Sequence, residues 1–172
     1  MRCRLWSMLL LFGMLGLGVG AARAQVGVYG GFSTASLTEA NTPRTYGGMF
    51  GLYYDAKHMS ALSLGLDLRY VAMPTNGADV KSLLFGPRAV VHVPALPLRV
   101  YGQAMLGDGH VTSGQGVAYY SGSGLETAWA VGGDFTILPH VDWRVLEFQD
   151  GHIFGVDTGI KTVSTGVVAR LP

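Results

Sequence analysis

The stretch Leu62-Ser63-Leu64-Gly65-Leu66-Asp67-Leu68-Arg69-Tyr70-Val71-Ala72 alternates strictly between apolar residues and a second, mostly polar set. Leu62, Leu64, Leu66, Leu68, Tyr70 and Ala72 share one face; Ser63, Gly65, Asp67, Arg69 and Val71 share the other. Successive side chains of a strand point to opposite sides, so a period of two reads as a strand with one apolar and one polar face. The apolar face must meet either a protein core or lipid. A soluble sheet buries it. A closed barrel in a membrane turns it outward and leaves Asp67 and Arg69 in the lumen.

Seven further stretches share the habit. Strands are predicted at Gln25–Ser36, Thr45–Ala56, Ser60–Met73, Lys81–Pro94, Leu98–His110, Leu125–Leu138, Trp143–Phe154 and Thr162–Leu171. In the fourth, Leu83, Phe85, Pro87, Ala89, Val91 and Val93 oppose Leu84, Gly86, Arg88, Val90 and His92. In the sixth, Leu125, Thr127, Trp129, Val131, Phe135 and Ile137 oppose Glu126, Ala128, Ala130, Gly132, Asp134 and Thr136. The seventh resists assignment without a bulge, because Arg144 and Glu147 have opposite parity.

Composition favours the membrane alternative. Charged residues make up 13% of the 172-residue chain, mean hydropathy is +0.32, and glycine occurs 26 times. Soluble domains carry about 25% charged residues. Low charge without a long apolar run is expected where hydrophobicity sits on alternate positions.

The N-terminus reads as an export signal over residues 1–24. Arg2 and Arg4 precede the apolar run Leu9–Val19, and Ala22-Arg23-Ala24 fits a small-x-small cleavage site before Gln25. The run is short for a membrane-spanning helix. The predicted mature domain, 25–172, lacks the single cysteine, Cys3, so disulfides are excluded from it. It holds 9 basic and 11 acidic residues, a net charge of −2, with no basic patch suited to nucleic acid.

The segments between strands alternate in length. Lys57–Met59, Ala95–Pro97 and Pro139–Asp142 are short; Leu37–Arg44, Pro74–Val80, Val111–Gly124 and Gly155–Lys161 are mostly longer. Short periplasmic turns and longer outer loops are the outer-membrane pattern. Tyr46, Tyr54, Tyr70, Phe85, Phe135, Trp143 and Phe154 cluster near strand ends, as interfacial aromatic girdles do.

The first strand (Val26-Gly27-Val28-Tyr29-Gly30-Gly31-Phe32), the penultimate segment (Trp143-Arg144-Val145-Leu146-Glu147-Phe148) and the last strand (Ser164-Thr165-Gly166-Val167-Val168-Ala169-Arg170-Leu171) carry a family resemblance. Together with the signal and the strand count, they resemble the OmpA-like outer-membrane β-barrel domain family. The resemblance implies an all-β fold, an eight-stranded antiparallel up-and-down transmembrane β-barrel after a cleaved signal peptide. It implies a location in the cell outer membrane of a Gram-negative envelope, with outer-membrane lipids and the barrel assembly machinery as partners. The chain departs from that family in ending Leu171-Pro172 rather than on an aromatic residue.

Candidate chemistry is sparse. Asp67, Arg69, Arg88, Arg99, Glu126 and Asp134 fall on predicted lumen positions. Eight strands leave an interior that side chains just fill, so these charges are expected to pair as a structural ion network. His58-Met59-Ser60 has the His-x-Ser spacing of outer-membrane lipid A deacylases, in which a His base activates a Ser nucleophile. It falls at a predicted periplasmic turn, with no acid to orient the histidine. Asp108-Gly109-His110 and Asp150-Gly151-His152 repeat one triplet; its side chains suit a divalent metal, but Asp-Gly is also a common turn signal. The segment 111–124, rich in Gly and Ser with Tyr119 and Tyr120, is a candidate surface-ligand loop.

The expected function is therefore a small integral outer-membrane barrel with a structural or surface-interaction role, with no catalysis, cofactor or metal. A narrow pore or transporter for small solutes is the first alternative. A soluble exported lipocalin-like binder of apolar ligands is the second. The face that carries the charges separates the last from the others.

Overall fold

The computed structural model describes residues 25–38, 44–59, 61–75, 78–115 and 118–171. The predicted signal segment, 1–24, lies outside the described residues. Eight strands run β1 (Gln25–Leu37), β2 (Thr45–Met59), β3 (Leu62–Thr75), β4 (Ala78–His92), β5 (Leu98–Gln115), β6 (Ala118–Leu138), β7 (Val141–Ile153) and β8 (Thr158–Leu171). Each pairs antiparallel with the next, and β8 returns to β1, closing the barrel.

Closure has a definite stagger. Pairing followed from Val28 through Leu52, Leu68, Phe85, Leu106, Thr127, His152 and Gly159 meets the chain again at Thr38, ten residues beyond its start. Such stagger tilts the strands and fixes the width of the lumen.

Alternation decides which side chains fill that lumen. Every even position from Leu62 to Leu68 is exposed, while Ser63, Asp67, Arg69 and Val71 are buried. Leu64 is 61% exposed and Asp67 0%. β6, and β4 as far as Val91, follow the predicted faces in the same way; His92, expected on the inner face, is exposed at the near end of β4 where the strand stops. The polarity is inside-out: Phe50, Leu83, Leu106, Trp129, Val131 and Phe135 stand on the outer wall. The seven aromatics predicted to lie near strand ends also face outward.

β7 supplies the bulge that its sequence demands. Register shifts between Arg144 and Glu147 against β8, and between Gly133 and Asp134 against β6. Val145 and Leu146 therefore both face outward, and Arg144 and Glu147 both face in. A bulge re-aims side chains in this way.

Several expected loops are strand instead. The sequence predicts a loop over 111–124, yet pairing runs unbroken from Val111↔Gly122 to Gln115↔Ala118. β5 and β6 reach 18 and 21 residues, about twice the 9–11 that crossing a bilayer requires. Val111 is buried and Thr112 half-buried, so alternation continues; Gly and Ser hide it by lacking apolar contrast. Likewise Pro74 and Thr75 pair with Asp79 and Ala78, and Lys57–Met59 belongs to β2. The barrel's far end thus gains height through long hairpin arms rather than long loops.

At the near end, where β1 begins and β8 finishes, neighbouring turns are tied together. Thr136 donates its amide to the Pro97 carbonyl and Arg170 to that of His140, at 2.8 and 2.7 Å. In the Pro139-His140 turn, His140 takes φ 68° after a proline, the pattern of a type II turn.

Glycines on the inner wall mark the closest strand approaches. A Cβ on Gly107 would come within 1.8 Å of the Leu83 carbonyl oxygen, whereas one on Gly102 meets nothing nearer than 4.0 Å. Gly107→Ala should therefore lower stability by about 1–3 kcal/mol, and Gly102→Ala by no more than about 0.5 kcal/mol. Urea titration of the refolded protein, followed by tryptophan fluorescence, measures both. Equal effects would contradict this account of the backbone contact.

Candidate functional site

The lumen is where the chain concentrates its chemistry. All six predicted residues, Asp67, Arg69, Arg88, Arg99, Glu126 and Asp134, are buried inside the barrel. Five of them meet. Arg69 Nε stands 3.9 Å from Asp67 Oδ1, and Arg88 Nη1 3.6 Å from Asp67 Oδ2. Arg88 Nη2 donates to Asp134 Oδ2 at 3.3 Å, and Arg99 Nη2 lies 4.0 Å from that same oxygen.

Glu126 is the exception. The sequence predicts an arginine partner for it, yet no ion pair reaches it among the described residues, and neither carboxylate oxygen has a hydrogen-bond partner. The reason is position. Glu126 sits toward the far end, where buried lumen residues such as Val80, Val111 and Ile153 are apolar.

Arg69 finds its main partner elsewhere. Its Nη1 and Nη2 donate to Glu147 Oε1 and Oε2 at 2.6 and 2.7 Å, a bidentate pair, and Nη1 also donates to Gln149 Oε1 at 2.8 Å. Arg144 donates to Asp134 Oδ1 at 3.0 Å and to Glu147 Oε2 at 3.2 Å. At the near end, Arg99 pairs with Asp142, which also takes Arg170 at 3.0 Å. Arg88 Nε lies 3.8 Å from Asp55 Oδ1. Five arginines and five acids thus form one connected network.

Tyrosines fill the flat faces of the guanidiniums. Arg88 lies 4.1 Å from the ring centres of both Tyr53 and Tyr101. Arg144 lies 4.1 Å from that of Tyr29 and 4.8 Å from that of Tyr101. These distances suit cation–π attraction, which strengthens where the cation is desolvated. The hydroxyls close the edges. Tyr101 donates to Glu147 at 2.6 Å; Tyr29 donates to Asp67 at 2.8 Å and accepts from Arg69 Nε at 3.0 Å.

Each of these rings lies over a glycine directly opposite it in register: Tyr53 over Gly27, Tyr29 over Gly51, and Tyr101 over Gly132. A Cβ at any of the three glycines would fall within 2.6 Å of the ring or its hydroxyl. Glycine opposite tyrosine is how a lumen this narrow holds a ring beside a guanidinium.

The sequence left Arg144, Glu147, Asp142, Asp55 and the three tyrosines unassigned. Cross-strand Tyr–Gly pairing is a usable signal once register is known; parity pointed to a bulge in β7 but did not show that it turns both Arg144 and Glu147 inward. In the repeated triplets, Gly109 and Gly151 are buried in the inner wall, while Asp108, His110, Asp150 and His152 alternate with them on the outer one. Among the described residues no His, Cys, Asp or Glu cluster of metal-binding size forms. Ser60 and the side chains of His58 and Met59 lie outside the described residues.

No protein-family model matches the chain, and no curated protein matches it. Solved structures do. Neisserial surface protein A superposes with a TM-score of 0.57 at 16% identity, over 88% of this chain and 99% of that one. Ail, the attachment invasion locus protein of Yersinia pestis, gives 0.55 at 14% identity, over 86% and 99%. A major outer membrane protein of Thermus thermophilus gives 0.52 at 9% identity, over 87% and 100%. At such identities the likeness is one of fold. This chain has the closed eight-stranded architecture of small outer-membrane barrels.

Glu147 accepts more hydrogen bonds than any other acid of the network, from Arg69, Tyr101 and Arg144. Glu147→Gln should destabilise the barrel by about 3–5 kcal/mol, because Arg69 and Arg144 are left without its charge. Asp55→Asn, whose partner stands at 3.8 Å without a hydrogen bond, should cost well under half as much. Urea unfolding curves of the two variants rank them, and the reverse order would contradict the network as drawn.

Proposed function

We propose that the protein is a small integral outer-membrane β-barrel, related to the OmpA-like group, with a structural or surface-interaction role and no catalysis. The observation that carries this reading is the inside-out polarity. Leucine, valine and aromatic side chains form the outer wall, and four paired arginines, Arg69, Arg88, Arg99 and Arg144, are buried in the lumen. That surface would aggregate in water; in hydrocarbon it is the required one. A lipocalin-like binder needs the opposite arrangement, with an apolar calyx and a wetted exterior.

The export signal over 1–24 fits this location, since only an exported chain reaches the outer membrane. Assembly there calls on the barrel assembly machinery. The long β5–β6 hairpin is the element that rises furthest from the bilayer, and it is the natural place for contact with a surface ligand. A pore is disfavoured by the lumen, where Arg88, Arg144, Tyr29, Tyr53 and Tyr101 pack into one another across the barrel.

Two measurements test the reading. Leu64→Arg and Leu66→Arg should each weaken folding into bilayers by about 2–4 kcal/mol, whereas Leu96→Arg, in the near-end turn, should cost no more than about 1 kcal/mol. Recovery of the mature chain from the soluble periplasm without detergent would refute the membrane assignment. In planar bilayers the purified protein should show no steady large conductance; a stable open channel would favour the pore.

A further inference from the structure

The acid that the network leaves out lies at the root of the β5–β6 arms. Arg69, Arg88, Arg99, Arg144 and Arg170 are matched by Asp55, Asp67, Asp134, Asp142 and Glu147, so the paired lumen is neutral without Glu126. Glu126 itself is 0% exposed, and neither carboxylate oxygen has a hydrogen-bond partner. Its register partner on β7 is Ile153, the last residue of that strand. From Leu125 to Ala118, β6 pairs with β5 alone. One further bond, from the Phe154 amide to the Leu125 carbonyl at 3.0 Å, fastens the root to the wall. Glu126 thus stands where the hairpin leaves the barrel.

The surroundings offer no countercharge. A Cβ on Gly109 of β5 would sit 2.5 Å from Oε2, and one on Gly151 of β7 3.0 Å from Oε1, so the inner wall closes on the carboxyl with bare backbone. Leu84, Met105, Ala128 and Ala130 separate it from the arginines. Ser82 of β4 supplies the polar side chain beside it, and the charge of Asp108, on β5, repels a second negative charge. From β7, β8, β1, β2 and β3 the buried side chains at this end of the lumen are Ile153, Ile160, Leu37, Thr45 and Met73, none of them ionisable. Lys81, His110, Asp150 and His152 lie on the outer wall, across the sheet. With that wall polar, Glu126 is level with the edge of the hydrocarbon band rather than its middle.

We infer that Glu126 is held in the folded barrel as the neutral carboxylic acid, and that its proton is the latch of the β5–β6 arms: ionisation loosens their root. A proton is the countercharge that fits a site with no accessible surface. The acid is the less costly form to bury, and it has an O–H to donate. The carboxylate must draw water between Gly109 and Gly151. At that point β6 has the least pairing to resist, so local opening begins there. The repeated Asp-Gly-His triplets then share a purpose, since their central glycines clear space for the carboxyl on both neighbouring strands. The inference goes beyond the membrane-barrel reading and does not depend on it: measured in detergent, it can fail while the polarity and fractionation tests stand.

The test follows the full mature barrel in detergent micelles from about pH 5 to about pH 8. An unfolded glutamate ionises at about pH 4.3. Above that value the unfolded chain gains from each rise in pH, and the folded one, while Glu126 keeps its proton, does not. Wild-type Tm should therefore fall relative to that of Glu126→Gln by roughly 3–8 °C over the range. In heavy water the wild type should show the infrared C=O band of a carboxylic acid at neutral pH; Glu126→Gln should lack it, and Ser82→Ala should shift it. The mature chain has no cysteine, so Ser123→Cys, at an exposed position of the arm, carries a single spin label. That label should gain mobility as pH rises, and should not do so when Glu126→Gln is added. A wild type without the acid band, or a Tm difference that is flat with pH, would overturn the neutral acid; label mobility indifferent to pH would overturn the latch. Should Glu126→Gln not refold, the band, its shift in Ser82→Ala and the label in the otherwise wild-type barrel still decide.

Discussion

The constraint on which everything else depends is the burial of four guanidiniums in a closed lumen of fixed width. A stagger of ten over eight strands leaves room for side chains and little else. A charge placed there has lost its water and must recover the loss from its neighbours. Arginine suits the task better than lysine, because it is a flat ion with two faces and five donors around its rim. Tyrosine rings cover the faces and carboxylates meet the rim. Arg88 shows both, lying between Tyr53 and Tyr101 with Asp55, Asp67 and Asp134 at its edge. The glycines opposite the rings and the bulge in β7 follow from the same need. Each makes space for a ring or swings a charge inward.

The lumen is also divided along its length. Toward the near end it is polar, from Arg170 and Asp142 to the Arg69–Glu147 pair. Toward the far end Leu37, Met73, Val80, Val111, Ile153 and Ile160 close it with hydrocarbon. Apolar closure needs no partners, so this half tolerates strands whose sequence is mostly Gly, Ser and Thr. The paired charges therefore gather in the near half of the barrel, where the bulge in β7 turns Arg144 and Glu147 inward to meet them. Glu126 lies on the apolar side of that division, which is why no arginine meets it.

The fold was largely legible because alternation survives any local irregularity of less than one residue. β3, β4 and β6 could be assigned face by face, and six lumen charges could be named. What failed to show had physical causes. A bulge changes parity, so Arg144 and Glu147 looked incompatible until the register of β7 was known. Gly and Ser carry no apolar contrast, so the β5–β6 arms read as loop. Asp142 read as part of a turn, because strand pairing there resumes one residue after His140. Tyrosine has both an apolar ring and a polar tip, so Tyr29, Tyr53 and Tyr101 gave no face preference. Their partners did: glycine directly opposite each ring is a signal only once cross-strand register exists.

Register itself shows why a protein would keep so costly an interior. The apolar outer wall fixes only parity. A one-residue slip of β3 would drive Leu64 and Leu66 into the lumen and is forbidden by the alternation. A two-residue slip is different: it keeps every leucine outside and every polar residue inside, so the outer wall cannot reject it. The lumen can. Such a slip displaces Arg69 by about 6–7 Å along its strand, which breaks the bidentate contact with Glu147 and separates the Tyr29 hydroxyl from both Asp67 and Arg69. The same shift in β1 carries Tyr29 off Gly51 and onto a position bearing a side chain. Outer hydrophobicity thus chooses the face of each strand, and the buried ions choose its register among the choices that remain. Replacing the network with hydrocarbon of equal volume would remove the desolvation cost, and with it the directional contacts that distinguish one even register from the next.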